Sequence, residues 1–200
     1  QRYPRDIVHP DGARRIVEFT AEPWPKWRFA LEDNAIVEQE IFVVHGQATV
    51  VLCWRLAAPC AKAALTVRPF FSGRDYHSLH HENPAFRFEP EIDGRRIVWR
   101  PYPDLPAIVA THNGEYRQQP DWYRNFVYDE ERRRGLDYTE DLAAPGAFRF
   151  DLASTEAVLF FHSGDTEKIE SRESAEHIYR ELHAQEQRRR RSFTSRLDRA

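Results

Sequence analysis

Carboxylates, arginines and aromatic rings are interleaved from Trp122 to Gly146, which reads Trp-Tyr-Arg-Asn-Phe-Val-Tyr-Asp-Glu-Glu-Arg-Arg-Arg-Gly-Leu-Asp-Tyr-Thr-Glu-Asp-Leu-Ala-Ala-Pro-Gly. Flat rings cover apolar sugar faces or a neighbour's surface, and charges of both signs hold hydroxyls or pair across an interface. Trp122, Tyr123, Arg124, Tyr128, Glu131, Arg134, Glu140 and Asp141 are therefore candidate binding residues. The Pro145-Gly146 pair reads as the turn that closes the segment. The alternative is a polar excursion between two strands whose charges pair with one another. On the surface reading Trp122 is the exposed tryptophan of the five, and Trp122→Ala or Glu140→Gln would leave the stability of the fold nearly unchanged.

Other constellations are weaker. His77, His80 and His81 have a spacing that on a helix would turn imidazoles to one face, but Gly73 and Pro84 argue against a helix there, so no metal is expected. Glycoside hydrolysis needs two carboxyls roughly 5 to 9.5 Å apart. The pairs Glu130/Glu131 and Glu140/Asp141 cannot be given that geometry from sequence, and no residue is assigned as catalytic. Ser72 and Ser78 lie near His77 without the strand-to-helix elbow that presents a nucleophile. Arg74, Asp75 and His77 remain as a second polar cluster able to contact a ligand or a neighbouring domain. No cofactor is implied.

The elements that must position these groups read as antiparallel β. Residues 14–20 alternate. Trp27, Phe29 and Leu31 share one face of the next run, and Val37, Ile41 and Val43 share a face with Gln39. His45-Gly46 turns into the apolar run Ala48 to Leu56, a strand buried on both faces. Phe86 and Phe88 lead to a hairpin at Asp93-Gly94, and the same device recurs at Asn113-Gly114. Phe148, Phe150 and Leu152 alternate before a last apolar run at Ala157 to Phe161. Leu52, Trp54, Leu65, Val67, Val109 and Phe160 are expected in a core between two sheets. The period then changes. Ser171 or Ser174 caps a helix whose apolar stripe is Ala175, Ile178, Tyr179 and Leu182, thinning to Phe193 and Leu197. So little apolar surface on an arginine-rich helix predicts a linker rather than a core element.

Composition sets the outer bounds. The 200 residues are 41% hydrophobic and 30% charged, enough for one β-sandwich domain without disulfides or metal. A net charge of -3 with scattered basic residues excludes nucleic-acid binding as the main task. No run approaches the roughly 18 apolar residues of a membrane span, and Gln1 to Pro10 is too polar for a secretory signal. Cys53 and Cys60 form no disulfide or metal framework, which predicts a reducing, cytoplasmic protein.

Several separated motifs occur in one order: His9-Pro10, Trp24 and Trp27, Leu65 to His77, Trp122-Tyr123, Tyr128, Glu131, Arg134 to Asp137, Glu140 to Leu142, and Pro145-Gly146. From about His9 to Phe161 the chain resembles the N-terminal domain of the prokaryotic-type glycogen debranching enzymes, the amylo-alpha-1,6-glucosidases. That resemblance implies a galactose-mutarotase-like supersandwich at residues 1–165 and a helical linker at residues 166–200. Beyond the linker it implies an (α/α)6 barrel that carries the acid and base. It further implies an α-glucan such as glycogen or limit dextrin as partner. The family's upstream segment, with its His-Gly-Leu-Leu-like stretch, has no counterpart before His9, so a truncated piece of the N-terminal region is expected. An independent carbohydrate-binding module or small enzyme is the alternative, and the sequence following Ala200 discriminates the two.

Overall fold

In the computed structural model, which describes residues 2–4, 7–32, 34–75, 77–164 and 174–197, with side chains as far as residue 192, short strands come first and one long helix last. The strands are β1 (Arg2–Tyr3), β2 (Ile7–Val8), β3 (Ile16–Thr20), β4 (Lys26–Ala30), β5 (Ile36–Val43), β6 (Thr49–Leu56) and β7 (Ala64–Val67). They continue with β8 (Pro90–Asp93), β9 (Arg96–Trp99), β10 (Ile108–His112), β11 (Glu115–Val127), β12 (Thr139–Asp151) and β13 (Ala157–Ser163). The helices are α1 (Asp129–Arg133) and α2 (Ala175–Leu197). An antiparallel eight-stranded sheet runs β3-β4-β5-β6-β13-β10-β9-β8, and a three-stranded sheet β11-β12-β7 packs on one of its faces. This is the expected mainly-β, antiparallel sandwich.

The period of two sorts the large sheet into faces. Its inner face joins Trp54, Ala157, Leu159, Ile97 and Trp99 to Phe71, Phe148, Phe150 and Leu152 of the covering layer. The outer face carries Phe42, Val51, Cys53, Val158 and Phe160 under α2, with Val98 and Val109 as a separate small cluster. Phe160 and Val109 therefore do not lie between the sheets as expected. Their strands are buried on both faces, and the alternation that turns Ala157 and Leu159 inward turns Val158 and Phe160 outward. Three strands do not span eight, so the inner row Trp54, Gln39, Trp27, Phe19 passes from buried to 52% exposed at the β3 edge. On the opposite face the same strands carry a cross-strand charge ladder, Glu18–Arg28 at 2.9 Å, Arg28–Glu38 at 3.7 Å and Glu38–Arg55 at 3.0 Å.

The hairpin expected at Asp93-Gly94 joins β8 to β9, with Gly94 at φ 56°. The run before it differs, because Phe86 and Phe88 lie in a loop where they stack on each other and on Trp122. Asn113-Gly114 is not a hairpin but a crossing: β10 pairs with β9 and β13, while β11 pairs with β12 in the other sheet. Asn113 anchors the crossing by donating to Glu156 O and Glu176 Oε1, both at 2.8 Å, and by accepting from Val158 N at 2.8 Å. Pro145-Gly146 is no turn either. It lies inside β12 where the pairing with β11 slips between Gln118 and Asp121, a bulge in which proline's missing N–H removes no ladder bond.

The helix also departs from expectation, since α2 is docked along the outer face rather than hanging free. Ser174 caps it through His177 N at 3.2 Å, while Ser171 lies outside the described residues. Ala175 and Tyr179 are buried with Ile178 and Leu182 beside them. What the apolar stripe lacks is made up by polar contacts. The Glu186 carboxylate is 0% exposed and accepts from His45 N at 2.8 Å and Arg189 Nε at 2.9 Å. Tyr179 donates its hydroxyl to Glu40, which also accepts from Trp24 Nε1 at 3.1 Å.

Candidate functional site

The interleaved segment folds as an arm: β11 rises to α1, and β12 returns. Its base is closed by Glu140, which is 1% exposed. Glu140 Oε1 accepts from Arg74 Nε and from His80 N, the latter at 3.1 Å. Glu140 Oε2 accepts from the Tyr128 hydroxyl and from Arg74 Nη2, the latter at 3.3 Å. Burial pushes this carboxyl upward, but the Arg74, Tyr128 and His80 bonds outweigh it and hold it below the usual carboxylate range. The Tyr128 phenol is pushed up to about 12 by burial and by the anion it faces. All four bonds come from the protein itself, so Glu140 has no lone pair to offer a ligand or a reaction.

Asp141 does a similar task one residue on. Its carboxylate accepts from Asn125 N at 2.9 Å and Glu82 N at 3.1 Å. Asn125 sits at φ 61° where β11 and β12 slip register, a left-handed position that asparagine tolerates. Burial pushes the Asp141 carboxyl upward, yet these two amide bonds hold it below its ordinary range. Its backbone completes the splice, with Asp141 N donating to His80 O at 2.7 Å.

His80 is buried between these groups. Its Nδ1 lies 3.2 Å from Asp141 O, a carbonyl that only accepts, so Nδ1 carries the proton and Nε2 accepts from the Tyr102 hydroxyl at 2.8 Å. Burial holds this imidazole below its ordinary range. The three histidines do not converge: His77 is exposed, and His81 turns to Asp141 at 3.7 Å. Among the described residues no group of histidine, cysteine, aspartate or glutamate has the arrangement of a metal site.

The other candidates divide between base and tip. Trp122 is half-buried against Phe86, Phe88 and His80, with ring centroids 5.2 to 5.7 Å away, and is not the exposed ring the sequence suggests. Tyr123 packs on Phe70 at 4.8 Å and beneath Arg68. Arg124 pairs with Glu82. Asp75 closes a local turn, accepting from His77 N at 2.7 Å and Ser78 N at 3.1 Å. Glu131 of α1 and Arg134, the residue that caps the helix's C-terminus, face each other at 3.7 Å, and Arg134 is exposed. Trp122→Ala and Glu140→Gln would accordingly cost stability, contrary to the sequence expectation, because one removes packing and the other a buried charge.

Beyond this base the tip opens to solvent. Tyr128 is 36% exposed, Leu136 54% and Tyr138 37%, amid Glu130, Arg133 and Arg134. Arg132 lies over the Tyr138 ring at 6.0 Å. Arg2 ties β1 to Asp129 at the start of α1, and Tyr3 stacks on Phe126 at 5.4 Å, so the arm is braced from its other side as well. Leu136 and Tyr138 are the residues that reasoning from sequence passed over. Their signal was present, as apolar side chains placed among charges one or two residues from an assigned candidate. The arrangement offers a rigid base and an open, mixed surface.

A family profile described as "Glycogen debranching enzyme N terminal" matches residues 1–159. No curated protein matches the chain.

Proposed function

This chain belongs to the glycogen debranching enzyme N-terminal family, and from that premise we propose that it is the non-catalytic β domain of a debranching glycoside hydrolase, an amylo-alpha-1,6-glucosidase. Its β11–α1–β12 arm completes the mouth of an active site carried by a helical catalytic domain. The free thiols of Cys53 and Cys60 suit a reducing, cytoplasmic compartment. One observation carries the reading: an arm locked at its base by Arg74, Tyr128, His80 and Glu140 holds Leu136, Tyr138 and Arg134 open at its tip. Exposed aromatic and aliphatic side chains beside arginines are the composition of a contact surface, and a rigid base removes the ordering cost of using it.

The test is made in the full-length enzyme. Leu136→Asp and Tyr138→Ala should lower kcat/KM on a branched limit dextrin about tenfold each, while the melting temperature of this domain moves by less than ~2 °C because no core area is lost. The isolated chain should not hydrolyse the α-1,6 bond. Full activity in the Leu136→Asp, Tyr138→Ala double variant would overturn the reading.

A further inference from the structure

On the far side of the molecule, where α2 crosses the outer face, a cleft of about 330 Å³ opens between the helix and strands β4, β5 and β6. That volume lies at the lower end of the range for small-molecule sites, roughly 300–1,000 Å³. Its floor is the buried Glu40 carboxylate, already engaged by Tyr179 and Trp24. Burial pushes Glu40 upward, but those two bonds and the nearby Arg55 hold it below the usual carboxylate range, so the floor is an anion. Lys26 Nζ stands 3.6 Å and His183 Nε2 3.5 Å from it.

Three side chains of the walls are less committed than the floor. Glu156 is half-buried with no cation within ion-pair distance among the described residues, and its Oε2 accepts one long hydrogen bond, from the Cys53 thiol at 3.7 Å. Arg180 and Gln187 line the same cleft, and their side chains make no hydrogen bond or ion pair among the described residues. The arm's base saturates every lone pair of Glu140, whereas here both donors and an acceptor face an open volume.

The charges decide what fits. Lys26, Arg55 and Arg180 disfavour a cation, and Glu40 with Glu156 disfavours an anion. A neutral ligand bearing adjacent hydroxyls, each able to donate and accept, uses both sets. We propose that this cleft is a pyranose-binding site, taking one or two sugar rings of an α-glucan against Glu156, Arg180 and Gln187. The choice of glucan rests on the reading of the chain as part of a debranching enzyme, but the site is remote from the arm and does not depend on the arm's role.

The experiment titrates the chain with maltose, maltotriose and inorganic phosphate, followed by calorimetry and by amide NMR shifts. Maltotriose should bind and perturb residues of β4 and α2. Arg180→Ala and Gln187→Ala should each raise its Kd about tenfold with an unchanged circular dichroism spectrum, and Tyr138→Ala at the arm should leave Kd unaltered. No saccharide binding up to about 10 mM, preferential binding of phosphate, or undiminished binding in the Glu156→Gln, Arg180→Ala, Gln187→Ala triple variant would each overturn the proposal. If Tyr138→Ala abolishes the binding, the sugar belongs to the arm, so the cleft proposal fails while the reading of the arm stands.

Discussion

At Glu140 a carboxylate that in sequence resembles a ligand for sugar hydroxyls is spent on Arg74, Tyr128 and the His80 amide. Sequence could place it beside Asp141 but not beside Arg74, 66 residues away, because the contact exists only once the loop before β8 folds back on β12. Burial, not residue type, separates a structural carboxylate from a functional one. The pair also sets the cost of its removal. Arg74→Ala leaves a buried anion uncompensated and should cost roughly 3 kcal/mol. Tyr128→Phe removes one donor of several and should cost about 1 kcal/mol. Urea unfolding measures both, and equal small losses would mean that the pair is effectively solvated.

Among the elements, those with a regular period were legible and those defined by pairing partners were not. β5 and the end of β12 follow from alternation, β6 and β13 from continuous apolar runs, and α2 from its i, i+3, i+4, i+7 stripe. Asn113-Gly114 has the signature of a hairpin, yet the chain leaves one sheet and enters the other there, and no local signal distinguishes the two. Pro145-Gly146 likewise reads as a turn, but the glycine serves close approach: a Cβ there would lie 2.3 Å from Arg117 O and 2.7 Å from the Tyr116 hydroxyl. Gly146→Ala should therefore destabilise the domain by at least ~2 kcal/mol, as steric overlap with backbone cannot relax cheaply. Thermal melting checks it, and an unchanged midpoint would show that the bulge shifts to make room. The docking of α2 was missed for a different reason. Its apolar stripe is short, and the polar contacts of Tyr179 and Glu186 with β5 and the His45 turn join residues more than 130 positions apart.

For the whole molecule, buried and half-buried imidazoles tie stability to pH. Burial lowers His80, His112, His162 and His183 alike, and His112, 2% exposed, falls to about 4. In the unfolded chain His112 takes up a proton near pH 6.5, whereas in the fold it does so only near 4, so the unfolded state binds more protons between those values. Its contribution is present above pH 6.5 and is lost as pH falls through the folded value, a change of roughly 3 kcal/mol for this one group. Denaturant unfolding at pH 7 and pH 4.5 should show the loss, and His112→Gln should flatten it. A pH-independent midpoint in the parent chain would contradict the neutral burial of the ring.

The Trp24 indole, caught between the sheet and α2, gives the molecule a built-in optical reporter. Its ring meets Phe42 at 4.8 Å on the sheet side and His183 at 4.8 Å on the helix side, with Arg190 above it at 5.5 Å. Trp54, Trp99 and Trp122 belong instead to the layer between the two sheets. If the helix lifts before the sandwich opens, Trp24 alone loses its neighbours, and its emission shifts to the red while the other four, Trp27 on Phe19 in the sheet among them, stay dark to the event. Fluorescence and far-ultraviolet dichroism recorded on one sample would then part company, and the gap between the two curves would measure the free energy that holds α2 down.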